Sequence, residues 1–219
     1  MKSSNHPILS AIKFGGFSVI IALVLLAIIG PPLTSRVHSH ARRAVDSSNL
    51  RQIGQASIIY AAEHHDKLPD VADLHAYMVA LAKTNILNDA HLWLSSQDHA
   101  FEDGIPYSTV LNADRSGLHD NLKDAPIACA VVISGLHLAA GAHVPIAWTR
   151  GLQPDGTWSK DSPYAGEGGY IVFLGGNISA FTRSLADQPL RRYDGNGTTT
   201  NILEALPPGS RVGEYLGKK

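Results

Sequence analysis

The chain has a single cysteine, Cys129, among 219 residues, so no disulfide can form within it and no metal site can be built from several thiolates. A dominant sign of charge is also missing: 18 Lys and Arg stand against 19 Asp and Glu, a formal net charge of −1. On that count no basic field invites nucleic acid and no acidic field marks a cation store. Catalytic signatures are absent too, with no Gly-x-Ser-x-Gly elbow, no P-loop and no His-Glu-x-x-His. No internal repeat is visible.

What is present has a globular balance, 44% apolar and 17% charged, in a length that suits one ordinary domain plus an anchor. The 11 histidines turn the surface positive only below about pH 6.5. Cys129 stands between Ala128 and Ala130 in the apolar run 127–133 and reads as a small buried hydrophobe. A reactive thiolate needs electropositive neighbours that this run does not supply.

Residues 14–35 carry no charged side chain, and their centre reads Val19-Ile20-Ile21-Ala22-Leu23-Val24-Leu25-Leu26-Ala27-Ile28-Ile29. As a helix this stretch reaches about 33 Å, close to a bilayer's hydrocarbon thickness. A cleaved secretory signal, with Lys2 and Lys13 as its basic region, is the alternative. The small-residue cleavage pattern is missing after Ile29, where Pro31-Pro32 and Arg36 follow instead, so a retained membrane helix is expected. Lys2 and Lys13 before the span nearly balance Arg36, Arg42 and Arg43 after it, and charge does not set the orientation.

Helical pattern resumes over residues 34–63, with Leu50, Ile53, Ser57 and Tyr60 on one modest stripe that a globular domain must cover. His64-His65-Asp66-Lys67-Leu68-Pro69 ends it. A second helix is expected with Asp70 as its cap, Asp73 near its positive end, and a stripe of Leu74, Tyr77, Met78 and Leu81. Asn85 suits a left-handed stop.

From about residue 127 the signal changes to strands, at 127–134, 145–149, 170–174 and 178–182. Pro154-Asp155-Gly156 marks a turn, and Gly175-Gly176-Asn177 joins the last two strands as a hairpin. Residues 201–206 suggest one short helical turn before Pro207-Pro208-Gly209. Helices first and an antiparallel sheet afterwards make an α+β domain. Residues 98–125 take no assignment; as a long variable loop they suit partner recognition, with Tyr107 expected to be buried against the sheet.

Few residues suggest a ligand. Gly166-Glu167-Gly168-Gly169 leads into a strand, not a helix, and reads as a turn without the helix N-terminus of a phosphate loop. His38, His40, His64 and His65 lack metal-site spacing and read as solvated. Asp194, Asn196 and Thr198 alternate oxygen-bearing side chains in a glycine loop, as at the start of a calcium loop, but no bidentate glutamate closes it. A plain loop is the expected reading there, with calcium as the alternative.

Three segments together carry a resemblance. Gly16-Phe17-Ser18-Val19-Ile20 resembles a prepilin cleavage motif, cut between Gly16 and Phe17. Ser48-Asn49-Leu50-Arg51-Gln52-Ile53-Gly54-Gln55-Ala56, with Tyr60-Ala61 and Leu68-Pro69, resembles the outer helix of bacterial type II secretion pseudopilin-like proteins. Gly168-Gly169-Tyr170-Ile171-Val172-Phe173-Leu174-Gly175-Gly176-Asn177 is similar to their C-terminal hairpin, and Ala147-Trp148-Thr149-Arg150-Gly151 fits as well. The variant resembled is the planctomycete- and verrucomicrobia-like one.

The resemblance implies a pilin-like fold, a long helix packed on a small antiparallel sheet. Residues 1–16 form a leader, 17–35 a transmembrane helix, 36–66 its extramembrane continuation and 67–219 the globular domain. It implies a single-pass inner-membrane protein with its domain in the periplasm, and a non-enzymatic structural role. Its partners would be other pseudopilin subunits, the inner-membrane secretion platform and a prepilin peptidase, without nucleic acid. One departure matters: the family places glutamate fifth after the cut, paired with a neighbour's terminal amine, and here that residue is Ile21. An unpaired ammonium in an apolar bundle costs several kcal/mol by rough estimate. The expectation is therefore a minor or tip subunit, or one that does not polymerise; the alternative is a membrane-tethered binding module.

Overall fold

The computed structural model describes residues 39–101 and 106–217. The chain divides into two compact units, residues 1–42 and 43–219. No helix among the described residues is long and apolar enough to cross a membrane. The expected span at 14–35 lies outside them.

The first helix, α1, covers residues 39–63. It buries Leu50, Ile53 and Ser57 and half-buries Tyr60, the expected stripe, with Ala56 and Ala61 beside it. It stops where the sequence predicts, because His65 and Asp66 both turn left-handed, at φ of +57 and +62. Asp66 N–H then closes on Ala61 C=O at 2.9 Å, six residues to one as in a Schellman stop. Tyr60 stacks on His64 with centroids 3.8 Å apart.

The second helix, α2, is Leu74–Lys83 and buries Leu74, Tyr77, Met78 and Leu81. Its cap is Asp73, not the expected Asp70: the Asp73 carboxylate accepts from Ala76 N–H at 2.8 Å. Asp70 lies before the helix, 3.7 Å from Arg211. Asn85, at φ +61, ends the element as expected. The two helices are tied by Tyr77, whose buried hydroxyl donates to Ser57 Oγ at 2.7 Å while Ser57 donates back to Ile53 C=O.

The main sheet is antiparallel and five-stranded. Its strands are β1 Cys129–Ser134, β2 Pro145–Thr149, β3 Gly169–Phe173, β4 Ile178–Phe181 and β7 Arg211–Gly213. Their order is β4-β3-β2-β1-β7. β5 Leu190–Arg191 and β6 Thr198–Thr199 pair separately. β3 and β4 form the expected hairpin, with Ile171 opposite Ser179. β2 is buried along its whole length and β1 along all but Ser134. Such runs are apolar without alternation because both faces are covered.

α1 covers one face. A Cβ on Gly54 would overlap the Cγ1 of Val172 and come within 3.3 Å of Ile146 Cδ1, so the helix backbone rests directly on β3 and β2. The opposite face is met by the excursion after β2. There Trp158 lies against Gly169, stands 6.0 Å from the Phe181 ring and donates its indole N–H to Thr149 C=O at 3.1 Å. That excursion begins with the expected turn, where Gly156 N–H returns to Gln153 C=O at 2.9 Å. Cys129 is buried, as the sequence suggests, and burial pushes its thiol up to about 12.

Of the stretch without an assignment, the described residues 98–101 and 106–125 fold irregularly onto the core. Tyr107, Val110, Leu111 and Leu122 are buried, Asp120–Leu122 is a 3-10 turn, and Asp89 bridges Thr109.

Candidate functional site

Positions 43, 46, 49, 50 and 53 follow one another up the inner face of α1 at helical spacing. The upper two, Leu50 and Ile53, are buried and apolar. The lower ones are polar, and the fold meets each with a partner. Asp46 accepts a hydrogen bond from Ser95 Oγ at 2.6 Å and another from the Tyr164 hydroxyl at 3.0 Å. Arg43 donates to the Glu167 carboxylate at 2.7 Å, reaches the Glu167 carbonyl at 3.4 Å and lies 4.7 Å from the centre of the Tyr164 ring. Asn49 donates to His91 C=O at 3.5 Å. A cavity of about 20 Å³ sits among Asp46, Asn49, Thr149, Tyr164 and the adjoining apolar side chains, room for one water and no substrate.

Burial raises the pKa of Asp46, the hydroxyls of Ser95 and Tyr164 pull it back, and the nearby Asp98 charge adds to the rise. Burial likewise pushes the Tyr164 phenol up, and the Asp46 carboxylate pushes it the same way. A raised folded pKa gives a stability contribution that is complete below the unfolded value, near 3.8, and lost as pH rises through the folded value. Asp46→Asn keeps the shape of the protonated acid. It is expected to be more stable than the wild type at pH 7 by about 0.5–1.5 kcal/mol, with the gap closing towards pH 3. Urea titrations at several pH values measure this, and a gap that widens in acid would count against it.

Deeper in, Asp98 and Arg150 form an ion pair at 2.7 Å with side chains 0% and 1% exposed. Arg150 also donates to Ile127 C=O at 2.8 Å and Asp161 C=O at 2.9 Å. It therefore joins the start of β1, the end of β2 and the excursion after β2. Next to it, Gly151 N–H donates to the Glu214 carboxylate at 2.6 Å. The arrangement is structural: the two charges face one another, Arg150 donates to two backbone carbonyls and Asp98 Oδ1 accepts from Ala100 N–H at 3.0 Å, while Arg150 Nε and Asp98 Oδ2 make no hydrogen bond among the described residues.

Of the residues singled out in the sequence, Gly16, Phe17 and Ile21 lie outside the described residues. Asp194 uses its carboxylate to accept from Asn196 N–H at 2.9 Å, closing a local turn, and stands 3.6 Å from Arg192 Nε. Thr198 pairs with Arg191 in the small sheet. A calcium ion there would compete with the Arg192 guanidinium. Among the described residues no group of three or more His, Cys, Asp or Glu is placed to hold a metal ion.

No family model, curated protein or solved structure matches the chain. Its own geometry therefore carries the functional argument.

Charge adds one point that a whole-chain sum conceals. All 19 acidic residues fall between Asp46 and Glu214, while seven of the 18 basic ones lie outside that span: Lys2, Lys13, Arg36, Arg42, Arg43, Lys218 and Lys219. The body is acidic after all, and both ends are basic. A signal for this was in the sequence, in where the charges stand. The pairing of Asp98 with Arg150 had no such signal.

Proposed function

We propose that the chain is a structural, non-enzymatic pilin-like subunit of a type II secretion pseudopilus or a related filament, anchored in the inner membrane with its folded body in the periplasm. In this reading it is a minor or tip subunit, or one that does not polymerise, because Ile21 stands where a glutamate would neutralise a neighbour's amine. The observation that carries the reading is the way α1 is held. One long helix lies across an antiparallel sheet with its backbone against β3 at Gly54, and its lower half is held through Asp46, which accepts from Ser95 and Tyr164. A helix fixed at both points transmits a pull on its N-terminal end to the whole domain. Prepilin peptidase, other pseudopilin subunits and the secretion platform are the partners this assigns.

The test is the N-terminal mass of the membrane-extracted protein made with and without a prepilin peptidase. The expected result is a peptidase-dependent loss of residues 1–16, leaving Phe17 as the terminus. An intact Met1 in both preparations would falsify the filament reading and leave residues 14–33 as a permanent anchor.

One observation favours the second reading, a tethered binding module. Below Gly54 the exposed side of α1 presents Ala44, Val45, Ser48, Arg51 and Gln52, and of these only Val45, 58% exposed, is a large apolar residue. A helix buried on all sides by its neighbours would expose a wider apolar face. A subunit with few helix contacts, at a tip or outside the filament, needs no such face.

A further inference from the structure

Beside the lower half of α1 lies an open groove of about 510 Å³, lined by Arg43, Ala165, Gly166 and Glu167 on one side and by Thr157, Thr182, Arg183 and Ser184 on the other. Both walls are fixed by the backbone. Gly166 N–H donates to Ser162 Oγ at 3.0 Å and Glu167 N–H to Tyr164 C=O at 2.9 Å. Opposite, Thr157 bridges Ser184, and Leu185 N–H donates to Gly156 C=O at 2.8 Å. Gly168 sits at φ +87, and a Cβ there would collide with the backbone of Phe181 and Thr182, so glycine lets the two walls approach.

The chemistry of the lining is cationic on an otherwise acidic body. Its lining holds two arginines, Arg43 and Arg183, and one carboxylate, Glu167. Arg183 is exposed and has no hydrogen-bond or ion-pair partner among the described residues. Arg43 is held in place by the Tyr164 ring and by Glu167, whose side chain is 75% exposed. An ion pair so open to water is weak, and an incoming anion can compete for the arginine. Hydroxyls of Thr157, Thr182 and Ser184 complete the rim; Thr157 donates to Asp155 at 2.7 Å, while Ser184 Oγ accepts from Ala186 N–H and keeps its own proton to donate. Guanidinium forks with hydroxyls beside them suit the tetrahedral oxygens of phosphate. The acidity of the rest of the body disfavours general adsorption of anions, so binding would be confined to this place.

We propose that this groove is a phosphate-binding site, with Arg183 as its free cationic ligand, Arg43 as a second that exchanges Glu167 for the phosphate, and Glu167 as a built-in competitor. The phosphate can belong to an anionic lipid headgroup or be free in solution. The headgroup as source rests on the anchored reading above: only seven residues lie between Ser35 and Arg43, a reach of at most about 29 Å. The phosphate chemistry does not depend on that reading, and a failed peptidase test leaves it standing.

The experiment is a calorimetric titration of the full chain in a nonionic detergent, using inorganic phosphate, short-chain phosphatidylglycerol and short-chain phosphatidylcholine as separate probes. Saturable binding of inorganic phosphate or phosphatidylglycerol is expected, with a dissociation constant of about 1 mM or below. Arg183→Gln, an exposed position unconnected to the core, is expected to weaken it about five- to tenfold, and Glu167→Gln to strengthen it about threefold. Phosphatidylglycerol binding that inorganic phosphate displaces identifies the headgroup as the source. Saturation by inorganic phosphate alone identifies the free ion. If both variants titrate like the wild type, or if neither anionic probe saturates, the site does not exist as proposed.

Discussion

Arg150→Ala is expected to destabilise the domain by about 3–5 kcal/mol, the range for stripping one partner from a buried ion pair. The Asp98 carboxylate, with no exposed surface, would be left without its cation. The carbonyls of Ile127 and Asp161 would each lose a donor as well. Arg150→Lys is not a conservative rescue, because one ammonium cannot replace a planar fork that reaches three oxygens on three segments. The double variant Asp98→Leu/Arg150→Met removes both charges and is expected to recover a large part of the loss, since what costs most is the unpaired charge. Urea unfolding of the three variants checks this. A loss below about 1 kcal/mol in Arg150→Ala would mean that water reaches the pair and that the seam is not the anchor of the fold.

Gly54→Leu is expected to cost about 3 kcal/mol or more, at the upper end for overpacking a filled core. Its side chain would have to enter the space held by Val172, which is buried, β-branched and confined to one rotamer well by the sheet. Helix propensity works the other way and favours leucine over glycine by somewhat under about 1 kcal/mol, so the packing term must exceed it. Pairing Gly54→Ala with Val172→Ala separates the two. If contact is the cause, the double variant is more stable than the sum of its singles predicts. Strict additivity would place the helix away from β3. For the proposed function the same variant should loosen α1 from the sheet and so uncouple a pull on the chain's N-terminal end from the body.

Local signals in the sequence described local structure well. The β3–β4 hairpin, the end of α1 at residue 63, the buried stripe of α2 and the left-handed Asn85 all depend on residues within a few positions of one another, and all are present. The cap of α2 shows how fine that local competition is. Asp70 and Asp73 have the same chemistry, and the helix starts where Leu74 first reaches the core, so the nearer aspartate caps it. Strand β7, next to β1, was not legible because three residues near the C-terminus carry no periodicity of their own.

The candidate site divides along the same line. The sequence by itself determined that α1 is a long helix with a one-sided stripe, that an antiparallel sheet follows, that Cys129 is buried and that no common catalytic motif is present. Only the tertiary structure decided that Asp46 meets Ser95 and Tyr164, that Arg150 meets Asp98, and that Arg43, Glu167 and Arg183 line one groove. Periodicity and turn chemistry act over one or two turns of chain, so they can be read in order along it. A charge seeks whichever partner the closed core brings within hydrogen-bond range, and across separations of 52 residues between Asp98 and Arg150 or 124 between Arg43 and Glu167 nothing but the packed fold selects it.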